Sequence, residues 1–214
     1  MHQPTTSINT TKIHDIKPKE NTMTLKEETL TNRLILYRPR AEHLSAVYEI
    51  HADPRTNVFN PRGAIDDVGE ASAMLAHWQS EWEEKQWGYW TIALNTAPDR
   101  IIGVGGISSR PRFGGHDLVE RLHRQQAANL YFRLRPEAWG SGYANEMANA
   151  ALNLAFQQIG LQAVLGLTRE TNTSSRRALE RLGMTMVETG SPDHELGAQV
   201  VYAIDAATYS KQTS

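Results

Sequence analysis

The chain has 214 residues, an apolar fraction of 40%, a charged fraction of 21% and a formal net charge of −2. These values are typical of a soluble globular protein, and the small net charge gives no support to nucleic acid or an anionic membrane surface as a partner. The complete absence of cysteine excludes disulfides, thiolate metal sites and a cysteine nucleophile. No apolar run approaches the roughly 20 residues that span a bilayer, and the polar N-terminus lacks the apolar segment of a secretory signal. We therefore expect a cytoplasmic enzyme or binding protein.

Residues 1–24 are rich in Thr, Asn, Lys and Pro and show no sustained periodicity. A segment of this composition cannot bury enough apolar area to offset the entropy cost of ordering, so we expect a flexible polar tail. Translation starts either at Met1 or at Met23, and in the second case 1–22 is an upstream extension. A single domain is predicted over 25–210.

Hydrophobic periodicity predicts a mixed α/β domain. Apolar alternation and short apolar runs predict strands at 34–37, 87–94, 101–107, 129–134, 164–167 and 200–204. Spacings of three and four residues predict helices at 41–52, 68–85, 143–159 and 174–182. Ala97-Pro98-Asp99 is predicted to turn a hairpin between the second and third strands, and Gly183 to end the last helix in the left-handed conformation. The connection 108–128 is unusually long, so it is either functional or disordered.

The most informative segment runs from Leu134 to Ala144 and reads LRPEAWGSGYA, a strand followed by a glycine-containing loop and the first turn of a helix. Unpaired amides at a helix N-terminus, together with the positive end of the helix dipole, make an anion site. Gly140 and Gly142 lack a Cβ, so a diphosphate can approach the backbone there, and the small Ala144 lets the helix start lie close to it. The simpler alternative is that the two glycines only shape a strand-to-helix turn.

Further motifs follow this loop. W-G-x-G-Y-A at 139–144 precedes an amphipathic helix, a short strand, Asn172-x-x-Ser175 and then L-x-x-L-G-M at 179–184. Together these motifs resemble the GCN5-related N-acetyltransferase (GNAT) superfamily over about 25–205. The most similar branch is the one that includes the ribosomal-protein N-terminal (alanine/serine) acetyltransferases. Trp139 stands where many superfamily members carry Arg or Gln, and tryptophan is common there in this branch.

The resemblance implies a GNAT fold, a mixed and mostly antiparallel sheet of six to seven strands flanked by about four helices. The fourth and fifth strands of the family's sheet, here 129–134 and 164–167, splay apart and admit the pantetheine arm of acetyl-CoA. Backbone groups of Phe132 and Leu134 would bind that arm, and Asn172 would contact it, unless Asn172 only caps the helix that follows. The cofactor-binding residues implied in this way are Phe132, Leu134, Trp139, Gly140, Ser141, Gly142, Tyr143, Ala144, Asn172 and Ser175.

Transfer to an amine requires a group that takes a proton from the amine. The candidate bases are Glu170, just past the strand at 164–167, and Glu120 in the long connection. Each is alternatively a solvated carboxylate. A strand N–H at the splay is the expected hydrogen-bond donor to the thioester carbonyl.

The departing thiolate benefits from a nearby acid. The candidate acids are Ser175, Tyr143 and Tyr202. Ser175 has the best position because it lies beside Asn172, although a serine in the first turn of a helix also bonds the local backbone. Tyr202, on the last strand, is alternatively a core residue.

Other signals carry less weight. Gly103 to Gly106 lies within a predicted strand and has no βαβ unit around it, so a Rossmann site is not expected. The eight histidines show no paired spacing on one face, so no metal site is predicted.

Four tryptophans are expected mainly in the core or lining a groove: Trp78, Trp82, Trp87 and Trp90. A basic run is either a solvated loop or a site for an acidic acceptor or the 3′-phosphate of CoA: Arg110, Arg112, Arg121, His123 and Arg124.

Two functions from different classes fit these observations. The first is an acetyl-CoA-dependent N-acetyltransferase that acts on a primary amine, either a protein N-terminus or a small molecule, by direct attack in a ternary complex. The second is a non-catalytic acyl-CoA-binding or sensor module on the same fold. The expected partners are acetyl-CoA and an amine, in a monomer or homodimer, with the acceptor selected by 41–70 and 108–128.

Overall fold

The structure is a computed structural model that describes residues 27–110, 124, 126–192 and 196–213. In chain order its strands are β1 (Glu28–Leu30), β2 (Leu34–Tyr37), β3 (Tyr89–Leu94), β4 (Ala97–Ser108), β5 (Ala127–Leu134), β6 (Ala163–Arg169), β7 (Thr185–Pro192) and β8 (Ala198–Asp205). Its helices are α1 (Leu44–Ala52), α2 (Val68–Lys85), α3 (Tyr143–Asn153), α4 (Thr173–Arg181) and α5 (Ala206–Thr213). Short 3-10 turns lie at Ala41–His43, Pro54–Asn57 and Pro136–Ala138, and a π-helical turn at Leu154–Ile159 continues α3.

The strands form one mixed sheet in the order β1-β2-β3-β4-β5-β6-β8-β7. β5 and β6 are parallel neighbours, and every other neighbouring pair is antiparallel. The predicted mixed and mostly antiparallel sheet is therefore confirmed. The expected six to seven strands and about four helices are too few, because the described part of the chain contains eight strands and five helices.

Helices cover both faces of the sheet at β5. Leu130 and its even-numbered neighbours pack into the main core with Met147 of α3. Tyr131 packs on the opposite face, against a cluster of α1 and α2 that includes Trp78. Side chains alternate along a strand, so β5 separates the α3 side of the sheet from the α1–α2 side.

Most predicted elements are confirmed. The helix predicted at 68–85 coincides with α2, and the Asp67 side chain caps its first turn by accepting from the Gly69 N–H. The helix predicted at 174–182 is α4, one residue earlier at each end. Gly183 follows it with a φ of +77°, the left-handed conformation expected there. The four tryptophans expected mainly in the core or a groove are buried: Trp78, Trp82, Trp87 and Trp90.

The turn predicted at Ala97-Pro98-Asp99 is wrong. Asn95 and Thr96 form the turn, and Ala97 already belongs to β4. The β3–β4 register then shifts, so that Pro98-Asp99-Arg100 bulges out of the pairing. Proline has no N–H to give to a ladder and is tolerated at a bulge, which explains why it marks an interruption here without marking the turn.

Three elements were absent from the prediction: β1, β7 and α5. β1 and β7 are the two edges of the sheet, and β1 is exposed along its whole length. α5 is short and mostly polar. Elements with so little burial show no apolar periodicity in the sequence. The predicted tail at 1–24 lies outside the described residues, as do Glu120 and three members of the basic run: Arg112, Arg121 and His123.

A buried carboxylate fixes the start of the long connection. Glu81 of α2 is 0% exposed and accepts hydrogen bonds from the Ser108 hydroxyl at 2.6 Å, the Ser109 N–H at 2.8 Å and the Ser109 hydroxyl at 2.9 Å. Lys85, one turn further along α2, also donates to the Ser109 hydroxyl. A buried carboxylate is tolerated only when its oxygens are bonded in this way, so α2 and the end of β4 are tightly joined.

Replacement of Glu81 by alanine is expected to lower the free energy of unfolding by about 3 kcal/mol, because the Ser109 N–H and two hydroxyls lose a buried acceptor. Chemical denaturation measures the change. Glu83→Ala, on an exposed position of the same helix, is the matched control and should change stability by less than about 0.5 kcal/mol. Similar losses for both variants would contradict the role of Glu81 as an anchor.

Candidate active site

The parallel strands β5 and β6 separate part of the way along their length. They pair from Ala127 with Ala163 to Leu130 with Gly166, and the pairing then ends although both strands continue. Because the strands are parallel, both open at their carboxyl ends. The result is a V-shaped gap, referred to below as the V.

The backbone of β5 presents hydrogen-bonding groups to the V. The Arg135 N–H donates to the Ile102 carbonyl at 2.8 Å, so alternate residues of β5 bond β4. The residues between them, Phe132 and Leu134, therefore direct their N–H and C=O groups to the open edge. The indole N–H of Trp139 donates to the Leu134 carbonyl at 2.9 Å and fills one of its acceptor positions. The predicted backbone contacts at Phe132 and Leu134 are compatible with this geometry.

The glycine loop lies at the open end of the V. Gly140 and Gly142 have φ values of +73° and +79°, conformations that a side chain would strain. A Cβ built on Gly140 would meet nothing within 4 Å, and one on Gly142 would meet only the Arg33 guanidinium at 3.6 Å. Gly142 is the N-cap of α3 and brings no side chain to its first amides, which have no partner within the helix. Open space, glycine backbone and free amides fit a diphosphate.

An arginine from the β1–β2 turn, which was not predicted as a site residue, holds this loop. The Arg33 side chain donates to Glu146 of α3 at 2.7 Å and to the Ser141 carbonyl at 2.9 Å. Its guanidinium carbon lies 4.6 Å from the centre of the Tyr143 ring. The Thr31 hydroxyl donates to the same carboxylate at 2.6 Å. These hydrogen bonds join residues 108 to 115 positions apart, so sequence periodicity cannot reveal them.

Glu146 is ionised in this arrangement. Burial disfavours its charged form, but hydrogen bonds from Thr31 and from the backbone and side chain of Arg33 outweigh burial and hold the pKa of Glu146 below its ordinary value. The pair therefore places a cation and an anion beside the first turn of α3. Arg33 compensates a carboxylate that would otherwise repel an anion at the helix start.

The second wall of the V leads into α4. Asn172 is the N-cap of this helix, and its side-chain oxygen accepts from the Ser175 N–H at 3.1 Å. The capping role considered for Asn172 is thus confirmed, and its amide nitrogen has no acceptor among the residues that the structure describes. Ser175 is half-buried in the first turn of α4. The Asn145 side chain donates to the Ala178 carbonyl at 3.0 Å and ties α3 to α4.

Two other predicted proton carriers have defined surroundings. Glu170 follows β6 with an exposed side chain, while its N–H donates to the Ala198 carbonyl at 2.8 Å. Tyr202 is buried, which agrees with the alternative that it is a core residue. Its hydroxyl donates to Glu180 at 2.9 Å and accepts from Arg176 at 3.0 Å. The Tyr202 hydroxyl proton is therefore already hydrogen-bonded to a carboxylate of α4.

A polar cluster on the α1–α2 face was not predicted. The Nδ1 of His51 lies 2.8 Å from the Val47 carbonyl, which can only accept, so Nδ1 carries the proton. In the neutral ring Nε2 then accepts from the Tyr131 hydroxyl at 3.2 Å. Arg133 donates to the Asn57 side chain and lies over the Tyr131 ring. Tyr131 directly follows the last β5–β6 pair and Arg133 lies two residues beyond it, so this cluster borders the V.

Burial raises the pKa of Tyr131, and the charge and hydrogen bond of Arg133 offset only part of the rise. Burial likewise raises the pKa of Tyr89, whose hydroxyl accepts from the Asn129 amide at 3.1 Å. The Asn129 side-chain oxygen is buried without a hydrogen-bond partner among the described residues. Both phenols are therefore neutral hydrogen-bonding groups.

Metal ligation and membrane insertion receive no support from the residues that the structure describes. No group of three or more His, Asp or Glu side chains is arranged there to hold a metal ion. No described helix is long and apolar enough to cross a membrane.

Comparison with known proteins identifies the class. The family model described as an acetyltransferase (GNAT) domain matches residues 33–185. The chain belongs to this family and is an N-acetyltransferase. The superfamily inferred from the loop and the Asn172 motif is thus confirmed, whereas the ribosomal-protein branch stays a prediction.

Two relatives are similar in sequence. The FsC-acetyl coenzyme A-N(2)-transacetylase of Aspergillus fumigatus is 43% identical over 58 residues, which are 27% of this chain and 25% of that protein. The match thus spans about a quarter of that relative. The uncharacterized N-acetyltransferase YoaA of Bacillus subtilis is 22% identical over 153 residues, which are 72% of this chain and 80% of that protein.

Solved structures share the fold. A GNAT-family acetyltransferase from Bacillus anthracis aligns with a TM-score of 0.66 and 18% identity, covering 84% of this chain and 99% of that chain. The spermidine N-acetyltransferase of Vibrio cholerae in complex with CoA and spermine aligns with a TM-score of 0.66 and 12% identity, with coverages of 84% and 99%. At these identities the likeness establishes the GNAT fold alone.

Replacement of Arg33 by methionine is expected to weaken CoA binding about tenfold, because the loop loses its hydrogen bond at Ser141 and Glu146 is left uncompensated beside the anion site. Isothermal titration with CoA measures the change. Arg100→Met, at an exposed position of the β4 bulge, removes the same charge away from the loop and should leave the dissociation constant unchanged. Equal weakening by both variants would point to overall charge and contradict the local role of Arg33.

Proposed function

We propose that the protein is an acetyl-CoA-dependent N-acetyltransferase that transfers the acetyl group to a primary amine by direct attack in a ternary complex. The observation that carries the proposal is the V between β5 and β6, whose open end is flanked by the N-termini of α3 and α4. The GNAT family match over 33–185 supports the same reaction. A protein N-terminus and a small-molecule amine are both acceptors within this proposal.

The glycine loop would bind the diphosphate of acetyl-CoA. The first amides of α3 point along the helix dipole, and Gly140 and Gly142 leave room for close approach. Ser141 and Ala144 would contribute backbone groups, and the exposed Trp139 ring would cover one side. The open edge of β5 would hold the pantetheine through main-chain hydrogen bonds.

Acetyl-CoA supplies the thioester whose carbonyl carbon is attacked and whose thiolate leaves. The N–H groups on the open edge of β5 are positioned to donate to the carbonyl oxygen as its charge develops. The Ser175 hydroxyl makes no side-chain hydrogen bond with another described residue, and we assign it to proton donation at the leaving sulfur. Glu170 remains the proposed proton acceptor, since its exposed side chain directly follows β6, the second wall of the V. Tyr143 is an alternative candidate for the acid that protonates the leaving sulfur.

Gly142→Glu is expected to abolish the thermal protection that acetyl-CoA gives the wild-type protein, because it places a carboxylate in the anion site. Thermal unfolding with and without acetyl-CoA measures the effect. Gly160→Glu is a matched control: Gly160 also has a positive φ, +78°, and open space around its Cβ, but it ends the π-helical turn of α3. The control should lose intrinsic stability and keep the protection. Absence of a shift with acetyl-CoA in the wild type would overturn the proposal.

Ser175→Ala is expected to lower kcat about tenfold to a hundredfold while the KM for acetyl-CoA changes little, because a proton donor acts in the transition state and not in binding. Release of the CoA thiol, followed with a chromogenic reagent across an amine panel, measures both constants. The exposed neighbour Ser174→Ala serves as control. CoA binding without thiol release from any amine would instead support a non-catalytic acyl-CoA-binding module.

A further inference from the structure

One half-buried arginine beside the V, Arg133, hydrogen-bonds an amide oxygen and not a carboxylate. Six other arginines of the described chain form ion pairs with Asp or Glu: Arg33, Arg38, Arg40, Arg55, Arg110 and Arg135. Arg133 forms none with any described residue, although its side chain is partly withdrawn from water. A partly buried cation without an anion is costly, so the site favours an anion from outside the described chain.

The position of this guanidinium is fixed. The Asn57 amide nitrogen donates to the His51 carbonyl at 2.8 Å and to the Asp53 carbonyl at 2.9 Å, which sets the orientation of the amide. Its oxygen therefore faces the other way and accepts from Arg133. On the other side the Tyr131 ring lies under the guanidinium carbon at 6.0 Å. A guanidinium has five N–H donors, and these contacts leave most of them available.

Nearby acidic side chains are already engaged. Asp53 and Glu137 pair with Arg55 at 2.6 and 3.4 Å, and Glu49 pairs with Arg135 at 2.6 Å. These three carboxylates are therefore already compensated and do not attract a cationic acceptor. A polyamine, which carries several positive charges and no carboxylate, does not match this environment.

The location of Arg133 places it on the acceptor side of the V. The glycine loop leads into α3, which packs on the even-numbered face of β5. Tyr131 lies on the opposite face, immediately beyond the point where β5 and β6 separate, and Arg133 follows on the same face two residues further along β5. A pantetheine arm that starts at the loop and enters the V brings its thioester toward that point, so an amine approaching from the α1–α2 face passes Arg133.

We infer that Arg133 binds a carboxylate of the acceptor, and that the acceptor is therefore a small amine of the amino-acid class, with a carboxylate a few bonds from its amino group. This inference rests on the proposed function and names its substrate class. The planar fork of the guanidinium matches a carboxylate with two parallel hydrogen bonds, which would also orient the amine toward the thioester. Asn57 and Tyr131 act as positioning residues because they hold the guanidinium in place.

The test uses matched pairs of amines that differ only in the carboxylate: alanine and ethylamine, ornithine and putrescine, lysine and cadaverine, phenylalanine and phenethylamine, with spermidine added. Thiol release with saturating acetyl-CoA gives kcat and KM for each amine. For any pair without turnover, titration into the CoA-loaded protein gives the affinity. At least one pair is expected to show a KM or dissociation constant about tenfold or more lower for the carboxylated member, the size of one charge-assisted contact.

Arg133→Gln is expected to remove this difference. It should raise the KM or dissociation constant of the carboxylated amine about tenfold or more and leave that of its decarboxylated partner unchanged. Arg133→Lys should recover part of the difference, since the charge returns without the planar fork. Arg100→Gln, at the exposed bulge of β4, removes one charge elsewhere and should behave as wild type. Thermal unfolding of each variant shows whether it folds.

Three outcomes would overturn the inference. The first is that spermidine or the decarboxylated amines are acetylated or bound as well as the carboxylated amines, or better. The second is that Arg133→Gln raises the KM or dissociation constant equally for both members of a pair, and the third is that no carboxylated amine is acetylated or bound. Failure of the proposed function gives a different result, because acetyl-CoA would then give no thermal protection to either the wild type or Arg133→Gln. Protection in both proteins together with any of the three outcomes contradicts only the role of Arg133.

Discussion

The separation of β5 and β6 is the constraint on which the proposed site depends. Two parallel strands that stay paired satisfy each other's main-chain groups, whereas strands that part leave N–H and C=O groups that need another partner. In this protein the pairing ends at Leu130 and Gly166. The edge of β5 is then free to receive an extended ligand in place of a strand. The glycine loop, the N-termini of α3 and α4, and the cluster around Arg133 all lie around that opening.

In the proposed function the two faces of the sheet bind different molecules, one the co-substrate and the other the acceptor. On one face, helix N-termini and glycine backbone offer amides to an anion, with little dependence on side-chain identity. On the other face, Tyr131, His51 and Arg133 offer side chains in fixed orientations. Main-chain recognition suits a co-substrate that is common to a family, and side-chain recognition suits an acceptor that differs among its members. We therefore expect the side chains on this second face to select the acceptor.

The sequence was sufficient for the parts of the fold that bury a periodic apolar face. It predicted α2 at both ends and α4 to within one residue, and the glycine loop was found because its residues are contiguous. Edge strands such as β7 escaped prediction because their side chains are exposed and carry no apolar pattern. Arg33 and the His51–Tyr131 contact escaped it for another reason: they join residues 113 and 80 positions apart, and only the folded chain brings them together.

The ion pair between Arg33 and Glu146 has a consequence for dynamics. It is a cross-link between the turn of an edge hairpin and the helix that begins at the glycine loop, and edge hairpins are among the first parts of a domain to open. A ligand that orders the loop should therefore also slow the opening of β1 and β2. Amide hydrogen exchange in that hairpin would then report whether the glycine loop is occupied.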